Sequence, residues 1–275
     1  MIEKENKIPE IEMERMKDLE WEMQNKMINE ILDKGICEYI LENNIDLKEG
    51  KENEQIERKL GCIDGRINRE VEITLAGSGV LLKDKEELEK FIIKNKITII
   101  TTHDDCGAAK MKFCSDLIIT QRQADGAAKE YIKGIVKELN EKNNKIRHEH
   151  IDRVEPNYHN ERVIYFNNVD KFNPTKIKEL PSGFVIEKFI NIENNAKKEL
   201  SIAICIALGE HGFGKRFTKN EPLIIACCLN KNDSFENIKL EVEKILGEME
   251  IENKFENIKE RIKIDYFVVP DKKVE

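Results

Sequence analysis

Residues 96–102 carry the β-branched run Ile97-Thr98-Ile99-Ile100-Thr101-Thr102, with an amphipathic stretch before it and a glycine turn after it. A run with no polar alternation predicts a strand buried on both faces, and such strands belong to parallel sheets covered by helices. The surroundings agree. Residues 59–63 read as a short buried strand, and 70–75 alternate in the strand manner before the turn Ala76-Gly77-Ser78-Gly79. Residues 83–95 and 123–140 read as helices, the first with Asp84 as its N-cap. Strand, turn, helix and strand in alternation predict a mostly parallel sheet with helices packed on it.

The flanks extend this plan. From about residue 10 to 44, Ile11, Met16, Leu19, Met23, Met27, Ile31 and Ile40 recur at helical intervals, giving an N-terminal helical arm broken near Gly35. Residues 48–59 form a charged connector, and 108–113 open a short helix. Strands are expected at 146–154 and 162–167. After Pro181 come apolar runs at 184–192, 200–208, 223–229 and 262–269, with a helix at 235–246, and no internal repeat is evident. The expected architecture is α/β: a mostly parallel β-sheet flanked by helices, an N-terminal helical arm, and an additional C-terminal α+β region. The corresponding divisions are 1–48, 49–173 and 174–275.

A net charge of −8 argues against a general nucleic-acid binder, which needs a basic face to neutralise phosphates. The apolar runs are too short to span a bilayer, and the N-terminal residues have no apolar core of the secretory kind. Seven scattered cysteines without such a signal point to a reducing compartment, where thiols pack, bind metal or react. A cytoplasmic protein is expected.

Two short motifs concentrate the chemistry. Cys62-Ile63-Asp64-Gly65-Arg66 and His103-Asp104-Asp105-Cys106-Gly107 each follow an apolar, strand-like run. Sheet edges of this kind are where open α/β folds build their sites. Two thiolates and one imidazole suit Zn²⁺ and leave a fourth position for water or substrate. His103 and Cys106 are close enough in the chain to chelate one ion, while Cys62 must arrive from a neighbouring strand end. Asp64 would accept a hydrogen bond from the reacting water, and Arg66 would fix that carboxylate bidentately and keep it ionised. Hydroxide produced at the zinc would then attack a small electrophile such as CO₂.

The motifs CxDxR and HxxCG, with the Ala76-Gly77 turn between them, resemble the signature of β-class carbonic anhydrases. The resemblance covers residues 60–113 well and nothing after about 173. It implies zinc on Cys62, His103 and Cys106, and Asp64–Arg66 as the catalytic dyad. It further implies CO₂ and bicarbonate as small-molecule substrates, and a homodimer or higher homo-oligomer in which the helical arm packs on a neighbour. Gly65 stands where the family commonly has Ser, and the stretch between the motifs is shorter than usual. Relatives of this fold hydrolyse carbonyl sulfide or carbon disulfide with the same ligands, so such a hydrolase is the alternative enzyme. A scaffold with a structural zinc is the non-catalytic alternative.

Other features read more simply. Asp104 and Asp105 are turn residues, with Asp105 able to accept a bond near the metal. Cys114 and Cys205 are packing residues, and the adjacent Cys227 and Cys228 face opposite sides of a strand. His148, His150 and His159 read as solvent-facing, with a second metal site as the other reading. The glycine-rich, basic residues 209–216 read as a flexible loop or, alternatively, an anion or partner site.

Overall fold

The computed structural model describes residues 10–50, 57–113, 120–152, 154–190, 192, 194–251 and 257–270. Part of the charged connector and Cys114 lie outside them. Helices α1 (Glu10–Lys34) and α2 (Ile36–Glu42) form the arm and meet at Gly35, whose φ of 88° breaks the helix as the sequence indicated. Strands β1 (Lys59–Gly61), β2 (Ile73–Thr74), β3 (Ile99–His103) and β4 (Arg147–Ile151) make a parallel sheet of order β2-β1-β3-β4. Helices α3 (Lys85–Lys94), α4 (Gly107–Phe113) and α5 (Gln121–Glu141) connect and cover these strands.

Local chemistry explains the helix starts. Asp84 caps α3 by accepting the Glu87 N–H at 2.9 Å. Thr120 and Gln123 close a capping box on α5. Every residue of β3 is buried, as its β-branched run requires.

A second sheet of order β6-β5-β7-β8 follows. It consists of β5 (Val163–Asn167), β6 (Gly183–Glu187), β7 (Leu223–Leu229) and β8 (Ile262–Val268), with α6 (Asn195–Leu208) and α7 (Phe235–Ile251). The sequence suggested α+β here, yet all four strands run parallel, because each of the later crossovers returns through a helix. The apolar run at 200–208 is the end of α6, not a strand: it belongs to a helix that begins at Asn195 and is buried around most of its circumference. Strand β5, ahead of the division near residue 173, already belongs to this second sheet.

The sheets meet at their β2 and β6 edges. Val185 donates its N–H to the Ile63 carbonyl at 3.2 Å, and Thr74 donates its hydroxyl to the Val185 carbonyl at 2.8 Å. One core runs through both units, from Leu60, Ile73 and Ile100 to Phe166, Ile186 and Cys227. A second core sits under the arm, where Ile28, Ile31, Ile36 and Ile40 cover Val163, Tyr165, Ile224 and Cys228. Cys227 and Cys228 thus point into opposite cores, as their adjacency in a strand dictates.

The arm packs on its own chain. The Arg162 guanidinium stacks 3.5 Å from the centroid of the Trp21 ring, Lys17 Nζ reaches the Glu210 carbonyl, and Asp265 accepts the Ile36 N–H. Among the described residues, no helix is long and apolar enough to cross a membrane.

Candidate metal centre

Strands β1 and β3 are hydrogen-bonded neighbours, so the turns leaving their C-terminal ends emerge side by side. This brings Cys62, His103 and Cys106 together: one sulfur or ring nitrogen from each lies within 4.8 Å of the others, and all three residues are buried. The sequence placed these donors together, and the fold does the same.

Each donor is held from behind. His103 donates Nδ1–H to the Asp104 carbonyl at 2.8 Å, which orients the ring and leaves Nε2 as its remaining ligand atom. That Nε2 is buried and has no hydrogen-bond partner. Cys62 Sγ accepts the Gly77 N–H at 3.2 Å. Gly77 has φ of 58°, and a Cβ on it would lie 2.5 Å from Val80 Cγ2 and 2.9 Å from Ala108 Cβ, so the turn needs glycine. The His103–Cys106 turn is anchored by Asp125 of α5, whose carboxylate accepts the N–H groups of Asp105 and Cys106 at 2.9 and 3.1 Å.

The three buried donors set one another's protonation. Hydrogen bonding from Cys106, and then the positive charge of the neighbouring His103 ring, hold the Cys62 thiol well below its usual range despite burial. The same contact and burial push Cys106 well above it. Burial opposes charge on His103, but the Cys62 thiolate and Asp64 raise it to about 9. A divalent ion would displace the Cys106 and His103 protons and give the orphaned Nε2 its partner. The donor set therefore fits a thiophilic divalent metal.

Beside these donors lies a buried charge cluster. Arg66 donates Nη2–H to Asp64 Oδ2 at 2.7 Å and Nε–H to Oδ1 at 3.0 Å, and its backbone N–H also reaches Oδ1 at 3.0 Å. Asp64 Oδ2 remains 4.0 Å from His103 Nε2. Burial works against the Asp64 charge, but His159 and Arg66 hold its carboxyl well below the usual carboxylate range. Arg66 also binds the Pro156 carbonyl and Asp105, so Asp105 serves the guanidinium.

Sequence reasoning missed His159 and Glu161. His159 is 6 % exposed, not solvent-facing, because it stacks on Phe184 at 5.3 Å and sits 3.3 Å from Glu161 Oε2 and 3.7 Å from Asp64 Oδ1. His148 and His150 are half-buried and share the Thr102 hydroxyl. No spacing motif announces His159 and Glu161; they reach the site from the segment that joins the two sheets. Asp64, His159 and Glu161 form a second set of potential ligands. Arg66, hydrogen-bonded to Asp64 and 3.3 Å from His159 Nε2, already supplies positive charge there and opposes a second cation.

Glu161 also explains Gly65. A Cβ at this position would come 2.6 Å from Glu161 Cγ and 2.7 Å from the Gly183 carbonyl. Deeper in, Glu199 of α6 accepts the Ala76 N–H at 2.5 Å, and burial raises its carboxyl to about 8. Cys205 is only half-buried and lines a cavity of about 530 Å³ with Met111, Ile202 and Ile206; the cavity reaches Gly107, the residue after Cys106. No family model matches the chain, and neither a curated protein nor a solved structure does.

Proposed function

We propose that the protein is a zinc-dependent lyase that hydrates CO₂ to bicarbonate. The observation that carries this reading is the buried convergence of Cys62, His103 and Cys106, with His103 Nε2 left without a partner, beside a carboxylate fixed by Arg66. Zinc held by these three residues supplies a Lewis acid that lowers the pKa of water near neutrality.

The chain's own groups do the rest. Asp64 accepts a hydrogen bond from the reacting water and so orients its lone pair toward the incoming carbon. Arg66 keeps that carboxylate ionised and turned from the metal ligands, since two side-chain hydrogen bonds and a backbone one define its position. Asp125 and Gly77 hold the ligand turns, which removes the cost of assembling them at each turnover.

The test is metal analysis of the purified protein followed by stopped-flow CO₂ hydration, with carbonyl sulfide and carbon disulfide assayed in parallel for sulfide release. About one zinc per chain and CO₂ hydration are expected. Zinc with sulfide release alone would move the substrate to the sulfur analogues, and zinc with no turnover on any of the three would leave a structural site.

A further inference from the structure

The two sheets share one plan. Each is fully parallel, and in each the strands lie in the order second, first, third, fourth along the chain. The pairing registers superpose as well. Leu60 pairs with Ile73 and Ile100; Phe166 pairs with Ile186 and Cys227. All six side chains enter the same core. With Leu60 matched to Phe166, β1 and β5 end together at Gly61 and Asn167, and β2 and β6 end together at Thr74 and Glu187. The later strands end within one residue of each other.

This superposition assigns a counterpart to every residue of the metal centre. Cys62 falls on Asn168, His103 on Asn230 and Cys106 on Asp233, with the three-residue spacing of the last two kept. These counterparts also meet. Asp233 Oδ2 accepts Asn168 Nδ2–H at 2.8 Å and the Asn230 N–H at 2.7 Å, and Asn230 Nδ2–H reaches the Asn168 carbonyl at 2.8 Å. Asp64 falls on Asp170, but Arg66 falls on Phe172, so the counterpart has no dyad. At the junction, Thr74 Oγ1 lies 3.4 Å from its own counterpart, Glu187 Oε1. Equivalent residues touch where a twofold axis passes between two copies.

We infer that residues 163–268 are a second copy of the metal-binding unit in which an Asn168–Asn230–Asp233 hydrogen-bond cluster stands where the first copy has its metal ligands, and that this copy acts as a built-in partner closing the working site. The inference rests on the reading of Cys62, His103 and Cys106 as a metal centre. The second copy reaches both segments that hold Cys62. Gly183 accepts from Asn68 and Val185 donates to Ile63, while Glu199 accepts from Ala76, next to the Gly77 that bonds the Cys62 sulfur. The helical arm also lies on this second copy, so the contacts a separate subunit would offer are present within one chain.

The experiment rebuilds the lost centre. The triple substitution Asn168→Cys, Asn230→His, Asp233→Cys is placed in a Cys106→Ala background, and zinc is counted by mass spectrometry. Cobalt is then added to look for thiolate-to-metal absorption. The background alone should hold no tightly bound zinc, and the triple variant should regain about one equivalent with the cobalt–thiolate band. A folded triple variant, judged by circular dichroism, that gains neither overturns the inference. Zinc retained by the background would instead defeat the assignment of the first centre.

Asp233→Ala in the otherwise unchanged chain gives an independent measure. It should keep its full zinc content while Tm falls by about 3–8 °C, the effect of removing a charged hydrogen-bond acceptor. Loss of zinc, or an unchanged Tm, overturns the inference.

Discussion

Arg66 holds Asp64 with three donors at once, Nη2, Nε and its own backbone N–H, across a separation of only two residues. Such a grip fixes the carboxylate in angle as well as in distance. The same carboxylate lies beside the metal-ligand set, its Oδ2 4.0 Å from His103 Nε2.

Replacing Arg66 by Ala should therefore leave zinc in place and lower kcat for CO₂ hydration by about 10²–10³-fold, the usual effect of losing a preorganised electrostatic contact. Lysine should restore little, since a point charge cannot reproduce the fork. Stopped-flow rates alongside zinc content check this. Wild-type turnover in the alanine variant would exclude the dyad role.

The metal ligands should act as a unit. Cys62→Ala, His103→Ala and Cys106→Ala are each expected to release zinc and abolish hydration. Chelation of the unaltered protein should do the same and be reversed by added zinc. Because binding to the native state adds stability by linkage, the chelated protein should melt lower than the loaded one. Identical melting curves with and without chelator would mean no metal is bound in the fold.

Glu199 and Asp64 predict opposite pH responses. The Asp64 carboxyl is lowered in the fold, so its stabilising contribution is present above the unfolded pKa and lost as pH falls. Glu199 is raised to about 8 by burial, so its contribution is full below the unfolded pKa and is lost as pH rises through that value. Glu199→Gln keeps an acceptor for Ala76 without the ionisation. Its stability should match wild type near pH 5 and exceed it by a few kcal/mol near pH 9. Parallel Tm curves over this range would show that Glu199 does not titrate in the folded protein.

Gly65→Ser should destabilise the protein by about 1–3 kcal/mol, since an added Cβ meets Glu161 Cγ at 2.6 Å and the backbone carbonyl of Gly183 at 2.7 Å. Shortening Glu161 to Ala in the same chain should recover only part of the loss, because the carbonyl does not move away. Urea denaturation of the single and double variants measures both. Full recovery in the double variant would place the whole clash on Glu161.

The alternation of β-branched runs with amphipathic helices determined the α/β class, and it also located the turns that carry Cys62, Asp64, Arg66, His103 and Cys106. These are local properties: side-chain periodicity sets the element, and strand ends set where the turns emerge. The helix at 195–208 was less legible because a short, continuous apolar run fits a buried strand as well as a buried helix. His159, Glu161 and Glu199 became visible only in the tertiary structure, since burial beside Asp64 and Ala76 depends on how the second sheet meets the first. The repeat was hidden for the same reason. Parallel strands ask only for apolar residues at the right places, so two copies can keep strand order and register while losing every ligand identity. Sequence thus named the donors, and packing decided what surrounds them.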